Sequence, residues 1–169
     1  MLKTSIALMT FTTIGIFSVV NDFQSAMPVP VEICKEDPKL TEVRDTLRIL
    51  GRNDKYAKDL YMSATAKGIN PVLWTCNIET ESEFKITAKS KKGYKGLGQT
   101  PKAAMKTGYE SADLLYAACV LDEKLRISGG DIHKAMMLYK GGNNPAAKKE
   151  ADKVFALYER ILVKLSKKG

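Results

Sequence analysis

Apolar residues recur at helical spacing along most of the chain. Leu40, Val43, Leu47 and Leu50 form one stripe, and Gly51 stops it. Ala57, Leu60, Tyr61 and Ala64 share a stripe within Asp54 to Lys67, with Gly68 as a C-terminal stop. Pro71–Phe84 reads as a helix with Asn70 as its cap and Pro71 at its first position. Ala112–Ile127 is strongly apolar and helical, and Gly129 and Gly130 break it. Asp131 caps a helix ending near Tyr139, and Lys140–Asn144 makes a tight turn. Pro145 starts the last helix, in which Ala151, Val154, Leu157, Tyr158, Ile161 and Leu165 recur. Between the third helix and the fourth, Lys85 to Thr100 holds Gly93, Gly96 and Gly98 among several lysines. It predicts a loop with a short strand pair, and Thr100-Pro101 begins a short helix to about Thr107. No internal repeat and no long β alternation is visible, so the fold class is mainly α.

One position breaks the pattern. At about 100° per residue, Trp74, Ile78 and Glu81 share one stripe of the third helix, while Glu79 and Glu83 point the other way, toward solvent. A carboxyl among Trp, Ile and Leu is desolvated, which raises its pKa and keeps it protonated near neutrality. A protonated carboxyl at a helix end, ahead of a glycine-rich loop, suits a general acid.

Composition narrows the setting. The 169 residues predict one globular domain, and an apolar fraction of 44% supplies a core. The net charge of +8 is spread along the chain, with small runs at Lys89–Lys92, Lys148–Lys149 and Lys167–Lys168. Such an excess draws the protein toward polyanions. The runs contain no interleaved aromatics to stack bases, which argues against nucleic acid as a partner. Lys3 followed by the apolar Ile6–Val20 predicts an export signal, or a membrane anchor in contact with the bilayer, over residues 1–26. The segment is short for a span of about 20 residues, and Gln24, at the minus-three position, spoils a clean small-x-small cleavage site after Ala26. A proline-rich linker follows over 27–38, and the folded domain occupies 39–169. The expected location is therefore exported, periplasmic or extracellular, with or without an anchor. Cys34, Cys76 and Cys119 allow one disulfide and one free thiol, with the pairing open; Cys76 is placed on the polar back of the third helix. Their spacing fits no zinc site, and the single histidine, His133, reads as an ordinary helix residue. No metal is expected.

Several site types are missing. No phosphate-binding loop ends in Lys-Ser/Thr, the glycines of Gly93–Gly98 have the wrong spacing for a dinucleotide fingerprint, and no Ser sits in a nucleophile elbow. What stands out is an ordered set of turns: Glu81-Ser82 with Phe84, then Ala88-Lys89-Ser90, then Gly96-Leu97-Gly98-Gln99, then Asp113 to Leu121, then Leu138-Tyr139-Lys140-Gly141-Gly142. In this order and spacing the set resembles the soluble lytic transglycosylase domain, a goose-type-lysozyme-like family that cleaves peptidoglycan. The likeness covers about Ile69 to Leu162. It departs from the family pattern at Gly98 (usually Met), at Asp113 (Asn), at Ala117 (Gly), at Lys140 (Asn) and at Pro101, which sits two residues after Gln99 instead of three. A short, divergent member of this kind occurs with phages and with secretion or conjugation machines.

The resemblance implies a lysozyme-like helical domain, a monomer, without cofactor, acting on peptidoglycan glycan strands. Glu81 would serve as the single general acid and base in cleaving the bond between N-acetylmuramic acid and N-acetylglucosamine, leaving a 1,6-anhydro sugar. Tyr139 would hydrogen-bond and orient Glu81. Ser82, Ser90, Gly96, Leu97, Gln99 and Lys140 would hold substrate, with Gly96 and Gly98 allowing close approach of the glycan to the backbone. A muramidase on the same fold would need a second carboxylate, for which Glu110 and Asp113 are the candidates. A non-catalytic wall-binding protein and a membrane-anchored interaction module are the readings from other classes.

Overall fold

The computed structural model describes residues 36–100 and 109–168. The expected N-terminal segment, Cys34, nearly all of the linker and the helix after Thr100 lie outside these residues. The described part is helical: α1 (Pro38–Ile49), a 3₁₀ turn (Asp54–Tyr56), α2 (Ala57–Thr65), α3 (Pro71–Ser82), α4 (Glu110–Ile127), α5 (Ile132–Lys140) and α6 (Pro145–Ser166). None of these helices is long and apolar enough to cross a membrane. Helix starts follow the sequence signals closely. The Asn70 side chain accepts from Val72 N and Leu73 N ahead of Pro71, Asp131 accepts from Lys134 N, and Asn144 accepts from Ala147 N ahead of Pro145. α1 opens inside the expected linker: Asp37 caps it and Pro38 is its first residue.

α3 is the axis of the fold, packed against α1, α2 and α6. Every residue from Pro71 to Ile78 is buried, as expected of a helix covered on all sides. Cys76 is therefore not on a polar back but in the core, and burial pushes its thiol up to about 12, with the charge of Glu79 adding to the effect. Such a thiol is inert at neutral pH. Among the described residues Cys76 and Cys119 form no disulfide. Trp74 is completely buried, and its indole N–H donates to Ser63 Oγ on α2 at 3.1 Å. α2 and α5 both pack on α4, and α6 closes the bundle against α3 and α5.

Two expectations about the end of α3 are corrected. Glu79 does not face solvent. Its carboxylate takes two hydrogen bonds from the Arg52 guanidinium, at 2.7 and 2.9 Å, and its side chain is 15% exposed. This fork ties the turn after α1 to the last turn of α3. The helix also stops before Phe84: Glu83 (φ 51°) and Phe84 (φ 59°) are both left-handed. Phe84 turns back into the core and stacks on Tyr56 with ring centroids 5.5 Å apart. The expected strand pair is reduced to two isolated bridges, Lys89 with Lys95 and Lys95 with Thr100. No strand forms among the described residues.

Candidate functional site

A cleft of about 740 Å³ opens between the end of α3, the loop Lys85–Thr100, α4 and the turn from α5 to α6. Its volume falls in the range of about 300–1,000 Å³ that small-molecule sites occupy. Glu81, Ser90, Gln99, Tyr139 and Lys140 all line it, although they come from three separated parts of the chain. Three other expected substrate-binding residues do not. The Ser82 hydroxyl is buried and donates to the Ile78 carbonyl of its own helix. Leu97 belongs to the core, and Gly96 is buried beneath the loop.

Glu81 reaches the cleft from the last turn of α3. Its Oε1 accepts from Lys140 Nζ at 2.8 Å, and the same ammonium donates to Thr80 Oγ1 at 2.9 Å. Both side chains are largely shielded, at 16% exposure for Glu81 and 6% for Lys140. Burial pushes the Glu81 carboxyl above the ordinary carboxylate range, and the Lys140 ammonium pulls against it. Burial also lowers the Lys140 ammonium, opposed by the charge of Glu81. Burial alone would leave Glu81 simply protonated, as the stripe of Trp74 and Ile78 predicts. The ammonium at 2.8 Å opposes that effect by favouring the ion pair.

Tyr139 does not orient Glu81 directly. Its hydroxyl donates to the Gly98 carbonyl at 2.7 Å, which fastens the loop to α5. Its ring meets Trp74 edge-on, with centroids 6.4 Å apart. Burial holds the phenol well above its ordinary value, and the charges of Glu81 and Asp113 add to that. Asn77, one turn before Glu81, is fully buried beside the same hydroxyl, and its amide has no hydrogen-bond partner among the described residues.

The glycine loop is held from behind. Asp113, near the start of α4, accepts from Leu97 N and Gly98 N and from the Thr100 hydroxyl. The Gln99 amide donates to the carbonyls of Ala88 and Gly96, so the side chain knits the loop while still edging the cleft. Asp113 is thus a structural anchor. Glu110 pairs with Lys55 at 3.4 Å and does not line the cleft. Neither supplies the second carboxylate expected of a muramidase. The carboxylate that does line the cleft is Glu150, from the first turns of α6. Nothing in its local sequence marks it, because it reads as one more charge on an exposed helix face. His133 pairs with Asp152 at 2.8 Å and stacks on Phe155, outside the cleft.

The two loop glycines make room for protein. A Cβ at Gly96 would meet the Asp113 carboxylate, 2.4 Å from Oδ2, and one at Gly98 would lie 2.3 Å from the Ala117 Cβ and 3.3 Å from the Tyr139 hydroxyl. The close approach expected of a glycan is taken by α4 and α5. The absence of a side chain at 98 and the Ala at 117 belong together, since the two backbones meet there. Gly98→Ala is accordingly expected to destabilise the fold by about 1–3 kcal/mol through overpacking. It would also displace Tyr139. Chemical denaturation would show the loss as a lower midpoint with an unchanged slope.

Comparison of the chain with protein-family models, with curated proteins and with solved structures returns no match. Among the described residues no cluster of His, Cys, Asp and Glu has the geometry to hold a metal ion.

Proposed function

We propose that the chain is a peptidoglycan lytic transglycosylase. The observation that carries this reading is the setting of Glu81: a shielded carboxyl in a sugar-sized cleft, faced by Gln99 and by Tyr139 and Lys140, residues of the other motifs behind the sequence resemblance. In this reading Glu81 protonates the glycosidic oxygen between N-acetylmuramic acid and N-acetylglucosamine. Its carboxylate then removes the proton of the muramyl C6 hydroxyl as that oxygen attacks C1. The rim carries Lys91, Lys92 and Lys124, which draw in the carboxylates borne by wall peptides. Ser90 and the free face of Gln99 are among the neutral polar groups on the cleft wall, with Thr80, Tyr94 and Thr100. The lysozyme-like architecture belongs to the same proposal.

Glu150 favours a second reading, a muramidase in which this carboxylate activates water while Glu81 acts as the acid. The mass of the products separates the two. Purified wall digested by the protein is expected to give muropeptides in the 1,6-anhydro form, lacking a reducing end. A product mass larger by one water throughout would establish the hydrolase. Intact wall after prolonged incubation would leave only a wall-binding role.

A further inference from the structure

The Lys140–Glu81 pair calls for an explanation other than stability. A shielded ion pair seldom holds a fold together better than apolar residues of similar size, because both ions lose their hydration. This one sits on the cleft wall, and Lys140 Nζ is fixed by two acceptors, Glu81 Oε1 at 2.8 Å and Thr80 Oγ1 at 2.9 Å. Resting on the transglycosylase reading, we propose that Lys140 is the proton store of Glu81: its ammonium delivers a proton to the carboxylate for each bond cleavage and recovers it within the same turnover.

In the resting pair Nζ carries three protons and Oε1 the negative charge. One Nζ–H bond breaks and an Oε1–H bond forms, giving an amine beside a carboxylic acid with no change in net charge. The acid protonates the glycosidic oxygen as the C1–O bond breaks and its electron pair stays on that oxygen. The C6 oxygen bonds to C1, and its proton passes to the Glu81 carboxylate and on to the amine. The ammonium and carboxylate are restored, and neither water nor another reactant is consumed. Shielding from water makes the neutral form of such a pair more accessible than it would be in bulk solvent.

Other charges surround the pair. α6 presents Glu150, itself paired with Lys153 at 2.7 Å, and both act on Lys140. α5 adds the neutral phenol of Tyr139, whose deprotonation burial resists. α4 contributes Lys124, and the loop contributes Lys91 and Lys92, to the lining of the same cleft. Glu81 is the partner in direct contact, so replacing Lys140 is expected to act chiefly through it.

The test is the pH dependence of kcat/KM on purified wall for the wild type, Lys140→Met and Lys140→Arg. With a proton store, the wild-type rate falls on the alkaline side only when the pair loses the one proton its two members share. In Lys140→Met the limb is set by Glu81 alone and moves to lower pH by about one unit or more. Lys140→Arg keeps the charge but holds its proton, and is expected to lose about tenfold or more in rate at every pH. A counter-ion without proton transfer predicts the reverse for Lys140→Met: the carboxyl loses its stabilising cation and the limb moves up. That upward shift, an unmoved limb, or a fully active Lys140→Arg overturns the proposal. The wild type gives a measurement that needs no variant. The ¹³C resonance of the Glu81 carboxyl in the free protein is expected at the carboxylate position near neutrality, and a protonated signal there overturns the proposal. Glu81→Gln run in parallel separates the two levels: if it still cleaves wall, the transglycosylase reading fails, whatever Lys140 does.

Discussion

Under the proposed transglycosylase mechanism, Glu81→Gln is expected to lower the rate of wall cleavage by about 10²–10⁴, the contribution of a positioned general acid and base. The substitution preserves shape. The amide oxygen can still accept from Lys140, and Trp74 and Ile78 below it are untouched. In the proposed mechanism the substitution removes the carboxyl that passes a proton to the leaving oxygen and takes one from the C6 hydroxyl. The exchange also strips Lys140 of its counter-charge, which drives that buried ammonium toward the neutral amine. Circular dichroism and thermal unfolding should therefore accompany the assay, so that a fall in rate is assigned to chemistry and not to a damaged fold. Clearing of purified wall by Glu81→Gln at the parental rate would remove Glu81 from the mechanism.

Trp74→Ala is expected to cost about 3–5 kcal/mol, the range for truncating a fully buried large aromatic. Against a total stability of about 5–15 kcal/mol, this leaves the domain at the edge of unfolding. Trp74 has no exposed surface, holds Ser63 through its indole N–H and supports the ring of Tyr139 edge-on. Removing it leaves the Ser63 hydroxyl without that donor and opens space beneath the residue that fastens the glycine loop. Since Trp74 is the only tryptophan, the loss has to be followed by circular dichroism and not by fluorescence. Trp74→Phe keeps much of the volume and is expected to lose less. An unfolding midpoint for Trp74→Ala equal to that of the parent would show that the core does not depend on this side chain.

Helix positions were written plainly in the sequence. Asn70-Pro71, Asp131 and Asn144-Pro145 are local signals, and local signals place helix starts within a residue or so. The stripe that sets Glu81 apart was likewise a matter of spacing on one helix. What the sequence could not show were partners from far along the chain. Arg52 lies 27 positions from Glu79, and Lys140 lies 59 from Glu81. Helical phase put Glu79 on the opposite side from Glu81 correctly, but phase cannot distinguish solvent from an arginine fork. The same blindness applies to Cys76, whose side of α3 is covered because α3 is packed all round. The loop glycines illustrate a different limit. The resemblance implied a close approach at Gly96 and Gly98, and only the packing of α4 and α5 revealed what approaches. The helix end before Phe84 was missed because nothing between Glu81 and Lys85 is a glycine, the usual marker of a left-handed stop.

That stop constrains how the site can change. Two successive non-glycine residues, Glu83 and Phe84, occupy conformations that disfavour ordinary side chains, at a cost of about 1–3 kcal/mol each. The burial of the Phe84 ring against Tyr56 offsets that cost and locks the reversal of the chain. The consequence is a fixed phase: α3 cannot wind on by another turn or slip by one residue without pulling Phe84 out of its seat. Glu81 therefore keeps a single heading into the cleft, and any insertion upstream of it in α3 must be absorbed at the Asn70 end of the helix.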